Sequence, residues 1–256
     1  MRSRMLKFVA AWAISLGLAS TAAAQNYEGW LLGATSLRNQ SASEWKVNLG
    51  IGMQIAPSFW GGVDSKIYGL PIVDMEWRGT FFASTQRGIG VNLIGRRQTV
   101  SGPRLTFDMG HKPTDHIRLT NTSRVKASPE LGWFVVHYTG PWRIEADVRK
   151  GLGSGHKGVR INLGAALGSK LSEKNTLILG GTVRYTGTKY NKAYWDLKSS
   201  SFTSFGVYGD IIREVGEGGG YVGFNVGMDM LFGPVRKAVY TENSQFTVGL
   251  VTGVRF

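Results

Sequence analysis

Apolar and polar residues alternate along most of the chain. From Lys46 to Ile55, Val47, Leu49, Ile51, Met53 and Ile55 face one way, and Lys46, Asn48, Gly50, Gly52 and Gln54 the other. The pattern recurs at Pro71–Arg78, Trp142–Arg149, Val159–Leu167, Val222–Phe232 and Phe246–Phe256. A period of two puts successive side chains on opposite faces of a strand, so each segment has an apolar and a polar face. Twelve segments follow: 46–56, 67–78, 79–85, 88–95, 99–109, 130–139, 142–150, 158–169, 174–188, 202–212, 220–232 and 244–256. Merging those around 79–95 gives ten instead.

A soluble sandwich also buries one face of each strand. Three features favour a transmembrane antiparallel β-barrel. Segments of about 9–13 residues cross a bilayer when tilted. The polar faces carry fixed charges and glycines, as a lumen wall does. Aromatic residues gather at segment ends (Trp77 with Phe81 and Phe82, Trp133, Tyr138 with Trp142, Tyr194 with Trp195, Phe232, Phe256), as interfacial girdles do. Short links at 139–141, 168–174 and 214–219 alternate with longer ones at 57–66, 110–129, 151–157, 189–201 and 233–243. The short ones are expected in the periplasm and the long ones outside the cell.

Composition narrows the class. The chain has 256 residues, 36 glycines and no cysteine, so disulfides, thiolate metal sites and cysteine nucleophiles are excluded. Its formal net charge of +13 invites a nucleic-acid reading. The N-terminus argues against it. Arg2, Arg4 and Lys7 precede an apolar stretch from Phe8 to Ser20, and Ala22 and Ala24 then form an A-x-A site before Gln25. Residues 1–24 thus read as a signal peptide for Sec export, and 25–256 as one barrel domain.

The segment Gly50-Ile51-Gly52, Pro57-Ser58-Phe59-Trp60-Gly61-Gly62-Val63-Asp64 and Tyr68-Gly69-Leu70-Pro71 resembles the opening of the MipA/OmpV family. Phe81-Phe82, Gly88-Ile89-Gly90-Val91-Asn92-Leu93, Glu130-Leu131-Gly132, Gly140-Pro141-Trp142-Arg143, Gly155-His156-Lys157-Gly158, Tyr190, Tyr194-Trp195 and Val254-Arg255-Phe256 follow in that family's order. Phe59 stands where tyrosine is usual, and the loop around 110–129 lacks the family's acidic cluster. The resemblance implies an outer-membrane barrel of a Gram-negative bacterium. One member is named for interacting with a lytic murein transglycosylase and is regarded as scaffolding a murein-synthesising complex. Others are described as porin-like or adhesion-related.

No catalytic, cofactor or metal residue is assigned. Gly153-x-Gly155-x-x-Gly158 matches a dinucleotide fingerprint literally, but strand pattern follows it where a helix is required, so it reads as a turn. His111 and His116 share a loop with no spacing that fixes a metal geometry. The expected lumen charges are Lys46, Asp74, Glu76, Arg78, Arg143, Glu145, Asp147, Arg149, Arg160, Arg184, Asp210 and Asp229, six of each sign. A balanced set fits paired side chains filling the lumen, or a hydrated pore with a charged constriction.

Arg96, Arg97, Arg104, Lys112, Arg118, Arg124 and Lys126 face only Asp108 and Asp115 within the same stretch. Arg118, Arg124 and Lys126 are accordingly the expected contacts to lipopolysaccharide phosphates. The functional expectations are a structural or scaffolding barrel, a narrow channel for small solutes, or adhesion through the loops. Phe246, Val254 and the terminal Phe256 form the expected signal for the barrel-assembly machinery. Deleting Phe256 should lower the folded, heat-modifiable protein recovered in outer membranes; unchanged recovery would rule out that role.

Overall fold

The computed structural model describes residues 44–62, 64–95, 98–113, 119, 123–238 and 241–256. Ala22, Ala24, Gln25, Arg96, Arg97, His116 and Arg118 lie outside them. The strands are β1 (Trp45–Pro57), β2 (Ser65–Trp77), β3 (Phe81–Ser84), β4 (Gly88–Val91), β5 (Ile94–Gly95), β6 (Thr99–Asp108), β7 (Ser128–Thr139), β8 (Trp142–Gly151), β9 (Val159–Lys170), β10 (Asn175–Thr186), β11 (Ser201–Val215), β12 (Gly220–Leu231) and β13 (Ser244–Arg255). One helix, α1 (Thr188–Trp195), lies between β10 and β11.

Each strand pairs antiparallel with its neighbours, and β1 pairs with β13. Both β4 and β5 pair with β6, through Ile89↔Leu105 and Ile94↔Ser101, with the register displaced by one residue between them. They are two halves of one bulged strand, so the sheet closes as a twelve-stranded barrel. Residues 79–85 and 88–95 therefore belong to separate strands, and the ten-stranded count is set aside.

The closed ladder also excludes a sandwich, and burial agrees with it. Ile51, Met53, Ile67, Phe246 and Leu250 are exposed on the outer surface, whereas Asn48, Gln54, Asn225 and Thr247 on the opposite faces of their strands are buried. Apolar outside and polar inside is the inverse of a soluble protein, and it suits a wall standing in lipid. Phe256 exchanges backbone hydrogen bonds with Val47 at 2.8 and 2.9 Å, so the C-terminus is stitched into the closing seam of β1 and β13.

The short links are tight turns, several with glycine in the left-handed region, such as Gly79 (φ 66°) and Gly140 (φ 55°). One expected lumen charge is corrected here. β2 ends at Trp77, and Arg78 (φ 52°) occupies the turn beyond it. There it is exposed, pairs with Glu44 at 2.7 Å and lies over the Trp77 ring, so it does not line the lumen.

The hairpin of β3 and β4 is the lowest part of the wall, four residues on each side, where neighbouring β2 has thirteen. Above it the Thr85 side chain takes over ladder duty, accepting the Val73 N–H and donating to the Pro71 carbonyl. Closure next to this hairpin demands close approach: a Cβ added to Gly102 on β6 would sit 1.8 Å from the Val91 carbonyl oxygen. G102A should therefore lower the heat-modifiable folded fraction, with a cost of about 1–3 kcal/mol. G69A, whose Cβ would meet nothing within 4 Å, should not. Equal yields of the two variants on unheated gels would contradict this account of the seam.

Candidate functional site: the lumen of the barrel

Register decides which lumen charges meet. Arg104 on β6, Gly132 on β7, Arg149 on β8 and Arg160 on β9 form one cross-strand row. Three arginines in a row repel unless acids flank them. Glu130 stands in the neighbouring row on one side and Asp147 in that on the other. Arg160 Nη2 lies 2.6 Å from Glu130 Oε2, and Arg149 Nη1 3.9 Å from the same oxygen. Arg104 and Arg149 both pair with Asp147. Asn162 donates to Asp147 Oδ1 at 2.8 Å and accepts from Arg184 Nε at 2.9 Å, which extends the network onto β10. Glu130 and Arg160 are 0% and 1% exposed, so water does not surround this pair.

The remaining expected lumen residues occupy separate sites. Lys46 and Glu76 face each other across β1 and β2 at 3.9 Å. Asp74 accepts from Arg87 of the short hairpin at 2.6 Å. Arg143 pairs with Glu145. Asp210 accepts from Asn225 at 2.5 Å, and Asp229 lies over Gly206. Arg184 also stacks on Trp60, 4.1 Å from the ring centroid.

Sequence reading missed Arg87, Arg104, Asp108, Glu130 and His156 as lumen groups. Arg104 belongs to the basic stretch between residues 96 and 126, but alternation against Leu105 and Phe107 turns it inward; its guanidinium is buried. Glu130 had the same signal, two residues before Gly132. Nothing in the local pattern points His156 inward, because it belongs to the link between β8 and β9. Of the expected lipopolysaccharide contacts, Arg124 and Lys126 are exposed in the segment leading into β7.

The inner wall also carries an apolar cluster that alternation does not announce. Leu70 and Ile72 of β2 meet Ala56, Ala166, Ile178, Ile212, Tyr221 and Val251, with Tyr68 and Tyr208 packed against them. At the loop end, α1 closes the mouth. Its Tyr190 and Trp195 pack with Leu231 and Val235, and Trp60 meets the Trp195 ring at 5.2 Å. Tyr190 stacks on Tyr194 at 4.6 Å and edges against the His156 ring at 4.6 Å. Tyr194 donates its hydroxyl proton to Asp108 Oδ1. Asn191 ties the helix to its own loop through the Ser199 carbonyl at 2.7 Å.

Gly158 makes this packing possible, since a Cβ there would sit 2.2 Å from the Tyr190 nitrogen. Burial raises the Tyr190 and Tyr194 hydroxyls above the ordinary tyrosine range, and the Asp108 carboxylate beside them adds to it, so both stay protonated at neutral pH. Under the plug, Asp108, Glu130 and His156 bring one ligand-type atom each to within 4.8 Å of one another.

Residues 49–232 match the family profile described as MltA-interacting protein MipA. No curated protein gives a significant match. Among solved structures, the chain is similar to an outer membrane channel from Pseudomonas putida F1, at 11% identity and a TM-score of 0.40 over 84% of this chain and 97% of that one. It is also similar to the outer membrane protein OmpT of Vibrio cholerae (8% identity, TM-score 0.40, 86% and 100% covered). A third is the outer membrane channel DcaP of Acinetobacter baumannii (9% identity, TM-score 0.31, 85% and 99% covered). The profile spans β1 to the end of β12, nearly the whole barrel, and on that match the chain belongs to the MipA family of outer-membrane β-barrel proteins.

Proposed function

We propose that this chain is a closed, non-enzymatic barrel with a structural, scaffolding role in the cell envelope. In this reading the short turns face the periplasm, and they offer a fixed platform to murein-processing enzymes, a synthase and a hydrolase among them. The observation that carries it is the filled lumen. Paired charges and an apolar cluster share the interior, and α1 packs at the loop end. A twelve-stranded lumen is narrow to begin with, and side chains packed across it leave little room for solute. The family's description as MltA-interacting protein supports a murein-enzyme partner. Insertion by the barrel-assembly machinery and pairing of Arg118, Arg124 and Lys126 with lipopolysaccharide belong to the same proposal. A channel reading keeps one point in its favour: the plug is a separate helix in a link, not part of the wall.

Purified protein in planar bilayers should be electrically silent, and removal of residues 188–195 should introduce conductance steps. Stable steps from the intact chain would replace the scaffold with a narrow channel. Crosslinking in cells followed by purification should recover a murein hydrolase or synthase through the short-turn end. Reversing the charge at Arg118, Arg124 and Lys126 together should reduce the lipopolysaccharide that co-purifies and lower the temperature at which the barrel unfolds. If both stay unchanged, those residues are ordinary solvated loop positions.

A further inference from the structure

The barrel wall has a gap between β2 and β6. β3 pairs with β2 only from Asp74 to Trp77, and β4 pairs with β6 only at Arg104 and Leu105. Above those pairs β2 runs on from Val73 to Ser65, and β6 from Thr106 to Asp108. Among the described residues no strand stands between these two stretches. β2 and β6 are three strand spacings apart, roughly 14 Å at about 4.8 Å each. The four residues of β3 rise roughly 10 Å when tilted, against an apolar band about 25 Å tall. With the long links outside the cell, the missing part of the wall lies in the outer leaflet.

The lower edge of the gap is built as an ending. Ser84 Oγ accepts the Gln86 and Arg87 N–H groups at 3.2 Å each, and the Thr85 N–H donates to the Val73 carbonyl at 2.8 Å. Arg87 pairs with Asp74 at 2.6 Å and covers the Phe82 ring. On β2 the Thr85 hydroxyl donates to the Pro71 carbonyl at 3.0 Å, so the hydrogen-bonding side of Pro71 faces the gap. A proline there has no N–H to leave unpaired, and it blocks the addition of another strand. Gly69 comes next along the same edge; it is exposed, and a Cβ on it would meet nothing within 4 Å.

The surroundings name the occupant. Ile67, Ile89, Leu105 and Phe107 flank the gap as exposed apolar side chains. On the inner face Leu70 and Ile72 are packed into the apolar cluster, so the lumen is filled at this level. Arg124 and Lys126 are exposed in the link that enters β7, whose first residue, Ser128, pairs with Asp108 at the top of β6. Apolar walls beneath a cationic rim match an amphiphile with acyl chains below an anionic head.

We propose that the gap between β2 and β6 is a binding groove for one lipopolysaccharide molecule of the outer leaflet, whose acyl chains complete the wall. Ester and amide groups between head and chains lie at the depth of Ile67 and Gly69, where they can pair backbone groups that no described strand reaches. The groove rests on the orientation proposed above, with the long links outside, and is independent of any murein partner.

The chain has no cysteine, so G69C can carry a single benzophenone label. L250C, exposed on the ordinary wall of β13, is the control. Full-length protein is extracted from outer membranes in mild detergent and freed of unbound lipid before illumination. Lipopolysaccharide should then couple to G69C and not to L250C. Unlabelled G69W, checked for heat-modifiable folding, should retain about 10-fold less lipopolysaccharide than the parent, the effect of displacing roughly two buried methylene groups. L250W should retain as much as the parent. Equal retention by G69W and the parent, or equal coupling of G69C and L250C, would overturn the groove. Coupling of G69C to a second copy of the chain would overturn it by making the gap a protein interface. Coupling to a glycerophospholipid in place of lipopolysaccharide would overturn the choice of lipid and, with it, the orientation.

Discussion

Every backbone N–H and C=O that enters the hydrocarbon has to be paired within the sheet, and this obligation organises the whole molecule. It is met by a ladder that returns to its starting strand. Nine of its twelve junctions are long, and the weak place is the passage from β2 through the four-residue β3 and the bulged β4–β5 to β6. There a threonine side chain substitutes for a missing strand neighbour, and Gly102 lets two backbones meet closer than any side chain allows. Closure next fixes which residues share the interior. Once the ladder is closed, the polar face of every strand looks at the polar face of the others.

That interior solves a second problem. Arginines and carboxylates confined in a narrow space cost stability unless each finds partners. The rows defined by strand register interleave them: Arg104, Arg149 and Arg160 in one row, with Glu130 and Asp147 on either side. The apolar cluster around Leu70 and Ile72 needs no such pairing and fills its share of the lumen by packing. The plug then covers the charged wall with aromatic rings. The outcome is a rod with a hydrophobic skin and a dense polar centre, which is the physical basis for reading it as a scaffold.

Within that centre, Asp108, Glu130 and His156 are buried together, with His156 Nε2 3.3 Å from Glu130 Oε1 and 3.7 Å from Asp108 Oδ2. They sit where wall and plug meet. The cluster connects parts of the chain that sequence order keeps far apart, the Tyr194 hydroxyl on Asp108 being the clearest instance.

The period-two pattern is a local property, readable from a few consecutive residues, and so the sequence alone was enough for most of the strands, the lipid-facing surface and the inward direction of Asp147, Arg149 and Arg160, while the choice of twelve strands over ten rested on the pairing of β4 and β5 with β6. Family order was legible for the same reason, since its motifs are short and successive. Partners were not legible. Arg78 alternates correctly yet falls in a turn, because the strand ends one residue earlier. Arg104 lies in a basic stretch of sequence, and only the register of β6 to β9 places it beside Asp147. His156 and α1 come from links, where no period constrains direction, and they turn inward only because Gly158 admits Tyr190. Which side chains meet across a barrel depends on register and closure, and those are settled by all twelve strands together.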